Sequence, residues 1–158
     1  NMINLFLGEM PDIIYKWRGS IIEFIGDVIL AVFGAPMELE CSEYNALKAA
    51  LEMQEAMSKV NEYNSENGYP ELKMGIGINK GEVFIGNIGS NRMMRYNVMG
   101  NTVNLASRIE DVSKGGQILI SKESIKDIEK KVAVREEITV TVKGISKEVT
   151  VCEVMGVE

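Results

Sequence analysis

The chain contains no histidine. That absence removes imidazole-based zinc sites and His general bases, so any chemistry must run on carboxylates, amides, Arg, Lys or a hard metal ion. Cysteine is scarce as well. Cys41 and Cys152 stand far apart with no CxxC spacing, which suits a reducing compartment and a buried or bystander role for both. Positive charge is in deficit: 17 Lys and Arg against 23 Asp and Glu give a net charge of -6. Duplex nucleic acid is therefore not expected as the main partner, because phosphate binding needs clustered cations, whereas a nucleotide needs only a few local ones. No window approaches the ~18 consecutive apolar residues of a membrane span. No signal-peptide pattern opens the chain, and there is no repeat, low-complexity tract or interdomain linker. Direct membrane contact is not expected of these residues, and the expected location is cytoplasmic, whether free or as the cytosolic part of a larger, membrane-anchored protein.

What is present is an ordinary globular composition, 46% hydrophobic and 25% charged over 158 residues, enough for one domain with a sizeable core over 1–158. The chain is organised around residues 21–34, IIEFIGDVILAVFG. Two apolar runs rich in Ile, Val and Phe flank Gly26-Asp27, which predicts a tight β-hairpin with a two-residue primed turn. Two carboxylates sit on this apolar element, Glu23 within the first strand and Asp27 at the bend.

Ahead of the hairpin, Met2, Leu5, Phe6, Met10, Ile13, Ile14 and Trp17 follow a helical spacing that Pro11 should kink or break. The pattern begins at once after Asn1, as though the chain starts inside an element, so a piece of something longer is expected. Behind the hairpin, residues 42–64 predict a helix with Ala46, Ala49, Ala50, Met53, Met57 and Val60 on one face and Ser42 as N-cap. Residues 72–79 and 82–88 read as two strands around Lys80-Gly81. Their glycines do not form a dinucleotide fingerprint, which must join a strand to a helix; Gly inside a strand lets another backbone approach closely. Residues 94–99 predict a strand, 101–113 a helix, 117–120 a strand, 121–131 a helix opened by Ser121, and 132–137, 139–143 and 149–155 strands with a turn at Gly144. Helices mixed with mostly hairpin-linked strands make an α+β sandwich.

Three polar clusters remain: Glu23 with Asp27; Asn97, Asn101, Asn104 and Arg108, where Asn104 and Arg108 share a helix face; and Lys143 before Gly144. Singly, each has an ordinary explanation as turn residue, solvated side chain or local ion pair. Together, EFIGDVILAVFGAP, MGIGINKGEVFIGNIGS, YNVMGNTVNLASRIE and the late VKG resemble the catalytic domain of class III adenylate and guanylate cyclases, in the family's order and along nearly the whole chain. The resemblance implies a ferredoxin-like α/β sandwich of the nucleotidyl cyclase type. It also implies formation of a 3′,5′-cyclic nucleotide and pyrophosphate from ATP or GTP, two Mg²⁺ or Mn²⁺ ions, and a homodimer with shared sites. By position, Asp27 matches a metal-binding aspartate, and Asn104 and Arg108 match the pair that orients ribose and stabilises the transferring phosphoryl group. Lys143 matches the lysine on the terminal phosphates, and Glu23 and Asn97 match the two purine-reading positions.

Two departures from the family pattern stand out. An FxDIxGFT segment carrying the first metal aspartate, on a strand inside the sheet, does not occur among these residues. The domain is thus expected to be incomplete at its N-terminus, and the 158-residue piece alone to be inactive and prone to strand exchange or instability. The Glu23–Asn97 pair fits neither purine pattern cleanly but leans to GTP. Guanine offers N1–H and amino donors to a carboxylate, while its O6 accepts from the Asn amide; adenine N1 is an acceptor. The alternatives are a degenerate cyclase-fold module that binds nucleotide or only dimerises, and an unrelated ferredoxin-like binding domain.

Overall fold

A computed structural model describes residues 2–25, 28–35, 38–88, 95–142 and 145–158. The elements are α1 (Met2–Lys16), β1 (Gly19–Ile25), β2 (Val28–Phe33), α2 (Ser42–Glu66), β3 (Ile76–Ile78), β4 (Phe84–Ile88), β5 (Arg95–Met99), α3 (Asn101–Val112), β6 (Ile118–Ser121), β7 (Val132–Val142) and β8 (Ile145–Val157). This is the expected α+β mixture. β3, β6, β8 and β7 form one four-stranded sheet in that order, with β3 parallel to β6 and the other pairs antiparallel.

Period-two alternation on β6 decides how this sheet is covered. Ile118 and Ile120 join Leu47 and Ala50 of α2, Cys152, Val154, Ile125 and Val132 in one core cluster. Leu119, between them, joins Ile109 of α3, Val140 and Val151 in another. Thus α2 covers one face and α3 the other, and all four β6 positions are buried. Each such aliphatic side chain contributes roughly 1.5–3 kcal/mol on burial. A third cluster, Met10, Met57 and Val60, joins α1 to α2.

Pro11 lies inside α1, which runs to Lys16 without a break. Four expectations are corrected. The strand expected over 72–79 shrinks to Ile76–Ile78, because side-chain amides of α2 satisfy the preceding backbone: Asn61 bonds both polar groups of Leu72, and Gln54 Nε2 donates to the Met74 carbonyl. Ser42 does not cap α2; Cys41 occupies that position without a side-chain cap bond. Residues 121–131 form two short 3-10 helices, Lys122–Ile125 and Glu129–Lys131, because Ser121 and Ser124 turn their hydroxyls inward to Asn79 and the Lys80 N–H instead of capping. The last strands are longer than expected, a continuous hairpin of 132–142 against 145–157 with three register shifts.

The hairpin at 21–34 is present as β1 paired with β2, its turn at Gly26-Asp27 lying outside the described residues. It forms its own two-stranded ribbon, as do β4 and β5. The two strands read around Lys80-Gly81 belong to different sheets, since the chain between them wraps over the start of α3 instead of making a tight turn.

Candidate active site on helix 3

β5 turns directly into α3 through Gly100, whose φ of 124° is the left-handed region that favours glycine. Asn104 and Arg108 follow one helical turn apart and both are exposed. The apolar side of the helix, led by fully buried Ile109, is what turns this polar side outward. Arg108 is held: its Nε donates to the Thr141 carbonyl at 3.2 Å. That single bond ties α3 to the end of β7, two residues before Lys143. A guanidinium carries further N–H groups of a kind suited to an anionic ligand.

Glu23 is exposed on β1, at a register irregularity: Ile21 faces Ala31, but Glu23 faces Leu30. An extra residue in one strand breaks the alternation and re-aims a side chain. β1 also lies against β5. Asn97 pairs with Gly86 across the β4–β5 ribbon, and the strands that carry the two purine-position residues, β1 and β5, are neighbours within one protomer. The Asn97 side chain, Asp27 and Lys143 lie outside what the structure describes.

The chemistry of the available donors, carboxylate and amide oxygens without His, suits a hard cation such as Mg²⁺ or Mn²⁺. Among the described residues, however, no group of three or more His, Cys, Asp or Glu is placed to hold a metal ion. The described donor set does not complete a two-cation site.

A polar network missed by sequence reading links three elements beside α3. Asn79 Nδ2 donates to the Thr102 carbonyl at 3.1 Å, and Asn79 Oδ1 accepts from Ser121 Oγ at 2.7 Å. Lys80 N–H donates to Ser124 Oγ at 2.8 Å, and Thr102 Oγ1 donates to the Glu82 carbonyl at 2.6 Å. The Lys80 ammonium lies 3.0 Å from the buried Glu43 carboxylate, which also accepts from the Cys41 thiol. Burial pushes the Glu43 carboxyl up, but its own backbone N–H, Lys80 and Cys41 outweigh it and hold the group below the usual range. Burial, then the bond to Glu43, pushes the Cys41 thiol up, and burial does the same to Cys152. Neither is primed as a thiolate, which accords with the bystander role. No spacing rule points to this network, because its members are ordinary strand-end and turn residues until the tertiary fold brings them together.

This mixed α+β fold matches solved nucleotidyl cyclase catalytic domains. The guanylyl cyclase Cya2 superposes with a TM-score of 0.92 at 41% identity, over 99% of this chain and 80% of that one. The adenylyl cyclase CyaB from P. aeruginosa superposes with a TM-score of 0.89 at 31% identity, over 99% and 82%. Adenylate cyclase 1 of Rhizobium meliloti (strain 1021) is 30% identical over 158 residues; the match covers 99% of this chain but only 24% of that protein's length. The model of the adenylate and guanylate cyclase catalytic domain matches residues 1–155, and the chain belongs to that family. Among the described residues, no helix is long and apolar enough to cross a membrane.

Proposed function

We propose that this chain is the catalytic domain of a purine nucleotidyl cyclase with a preference for GTP, forming a 3′,5′-cyclic nucleotide and pyrophosphate as a signalling enzyme. The observation that carries this is the Asn104–Arg108 pair, exposed on α3, with Arg108 tied to the strand that leads into Lys143. In this reading Asn104 orients the ribose, so that its 3′-hydroxyl faces the α-phosphate. Arg108 takes up the charge that develops on the phosphoryl group, and Lys143 neutralises the leaving pyrophosphate. Asp27 offers one ligand for Mg²⁺ or Mn²⁺, whose chemistry when bound would be activation of the attacking hydroxyl.

Glu23 and Asn97 are assigned to the purine edge, an assignment supported by the neighbouring backbones of β1 and β5. The full natural chain is expected to use GTP with kcat/KM at least about tenfold above ATP, since a mismatched polar edge in a closed pocket costs ~1–3 kcal/mol. Glu23→Lys combined with Asn97→Asp is expected to move the preference toward ATP. Parallel assays with both nucleotides decide it: equal or better ATP use by the unmodified protein sinks the assignment. Turnover of neither, with nucleotide still bound, would favour the binding-module reading.

A homodimer with two equivalent shared sites completes the proposal. Near the Gly26-Asp27 turn, Phe24, Ile25 and Val28 are 49%, 54% and 39% exposed, an apolar tip suited to a partner surface. The polypeptide 1–158 alone is expected to make no cyclic nucleotide, since the family's first metal aspartate is not among its residues. Mixed with a full natural chain carrying Asn104→Ala and Arg108→Ala, it should regain activity, one site drawing its carboxylates from the variant and its Asn104 and Arg108 from the piece. Activity of the piece by itself would show that this aspartate is dispensable.

A further inference from the structure

We propose that Asn79 is a positioning residue for phosphoryl transfer, clamping the first turn of α3 so that Asn104 and Arg108 meet the nucleotide at a fixed depth. The proposal rests on the reading of Asn104 and Arg108 above. The residues from Asn79 to Glu82 wrap over the start of α3 and hold it at two points. At one end the Asn79 amide donates to the Thr102 carbonyl. At the other the Glu82 carbonyl accepts from Thr102 Oγ1. Between them, a Cβ at Gly81 would come within 2.6 Å of Thr102 Oγ1, so the segment lies in close contact with the helix.

Asn79 is itself fixed from behind. Its Oδ1 accepts from Ser121 at the end of β6, and Ser124 holds the next backbone N–H. The amide therefore carries the position of the central sheet directly into the helix that bears the proposed catalytic pair. Its orientation is set by the Thr102 carbonyl, which can only accept and so takes the N–H half, leaving Oδ1 to accept from the Ser121 hydroxyl. Asn104 lies only two residues beyond Thr102, so a displacement of the first turn passes straight to it. Misplacement of about 1 Å can cost on the order of a hundredfold in rate.

The test uses the full natural chain. Asn79→Asp keeps the shape and the acceptor but replaces the N–H donor with a carboxylate oxygen facing the Thr102 carbonyl. Thr102→Val removes the second hold, and Thr102→Ser should rescue it. Asn79→Asp and Thr102→Val are each expected to lower kcat about tenfold or more with KM changed less than about threefold, well below their melting temperatures. In an Arg108→Ala background the Asn79→Asp loss should shrink to about threefold or less, because one member of the pair it positions is already gone and only Asn104 remains to be misplaced. Amide hydrogen exchange at 101–105 should rise in both variants and remain unchanged across β6 and β8. A kcat within twofold of the unmodified protein, an additive loss in the Arg108→Ala background, or unchanged exchange at 101–105 would each overturn the proposal. Should the unmodified protein turn over neither nucleotide, the functional reading fails, and the exchange experiment still decides the clamp itself.

Discussion

Arg108→Ala is expected to lower cyclic-nucleotide formation by the full natural chain about a thousandfold, with little change in stability. Arginines that stabilise charge on a transferring phosphoryl group contribute roughly 10³–10⁵ in turnover, and loss of one preorganised donor costs about 10²–10³. The structural cost is small. The side chain is exposed, and its described bond to the protein is one hydrogen bond to a backbone carbonyl, a net of about 1 kcal/mol. Arg108→Lys should recover little. A guanidinium bonded through Nε to the Thr141 carbonyl still has two terminal nitrogens with which to fork, whereas an ammonium supplies one centre and no fork. Product formation is measured beside thermal melting. A loss below tenfold with an unchanged melting temperature would remove Arg108 from the chemistry.

Gly77→Ala is expected to destabilise the domain by about 3 kcal/mol, at the upper end of ordinary overpacking costs. A Cβ there would lie 2.8 Å from both the Ala106 carbonyl oxygen and Glu110 Cα, and closer still to the Glu110 nitrogen. These are backbone atoms of α3, which cannot swing aside as a side-chain tip can. The whole helix would have to lift from β3, taking Ile109 out of its cluster with Leu119, Val140 and Val151. At ~2–4 °C per kcal/mol for a domain of this size, the melting temperature should fall by about 6–12 °C. Gly77→Val should fail to fold. The same lift would move Asn104 and Arg108, so turnover should fall even where Gly77→Ala remains folded. Melting within 2 °C of the unmodified protein would show that α3 is less closely seated than the structure has it.

The glycines of 75–77 show how far sequence reading reaches here. Their place within strand-forming residues is legible as a demand for close approach, and a dinucleotide fingerprint can be set aside for want of a following helix. Which backbone approaches is not legible. α3 is separated from β3 by more than twenty residues and two other strands, and only the packed fold seats its Ala106–Glu110 turn on Gly77. Likewise the hairpin around Gly26-Asp27, α2 and α3 follow from local periodicity, while the register shift beside Glu23 arises from pairing between β1 and β2.

The sequence by itself determined the α+β class, the positions of the hairpin and of both long later elements, and the family, through segments such as NVMGNTVNLASR that carry the resemblance. It determined equally the lack of His chemistry. Only the tertiary structure decided that 72–75 is not strand, that 121–131 is a pair of 3-10 turns, and that Asn79, Thr102, Ser121 and Ser124 form one network. Local patterns record which face of an element is apolar, but the partner of a polar group is chosen by whichever donor or acceptor the folded chain brings within about 3 Å. Gln54 and Asn61 satisfied the backbone at 72–74, and Asn79 drew the Ser121 hydroxyl away from a cap. Those choices depend on segments 11 to 42 residues apart, a separation at which local sequence carries no signal.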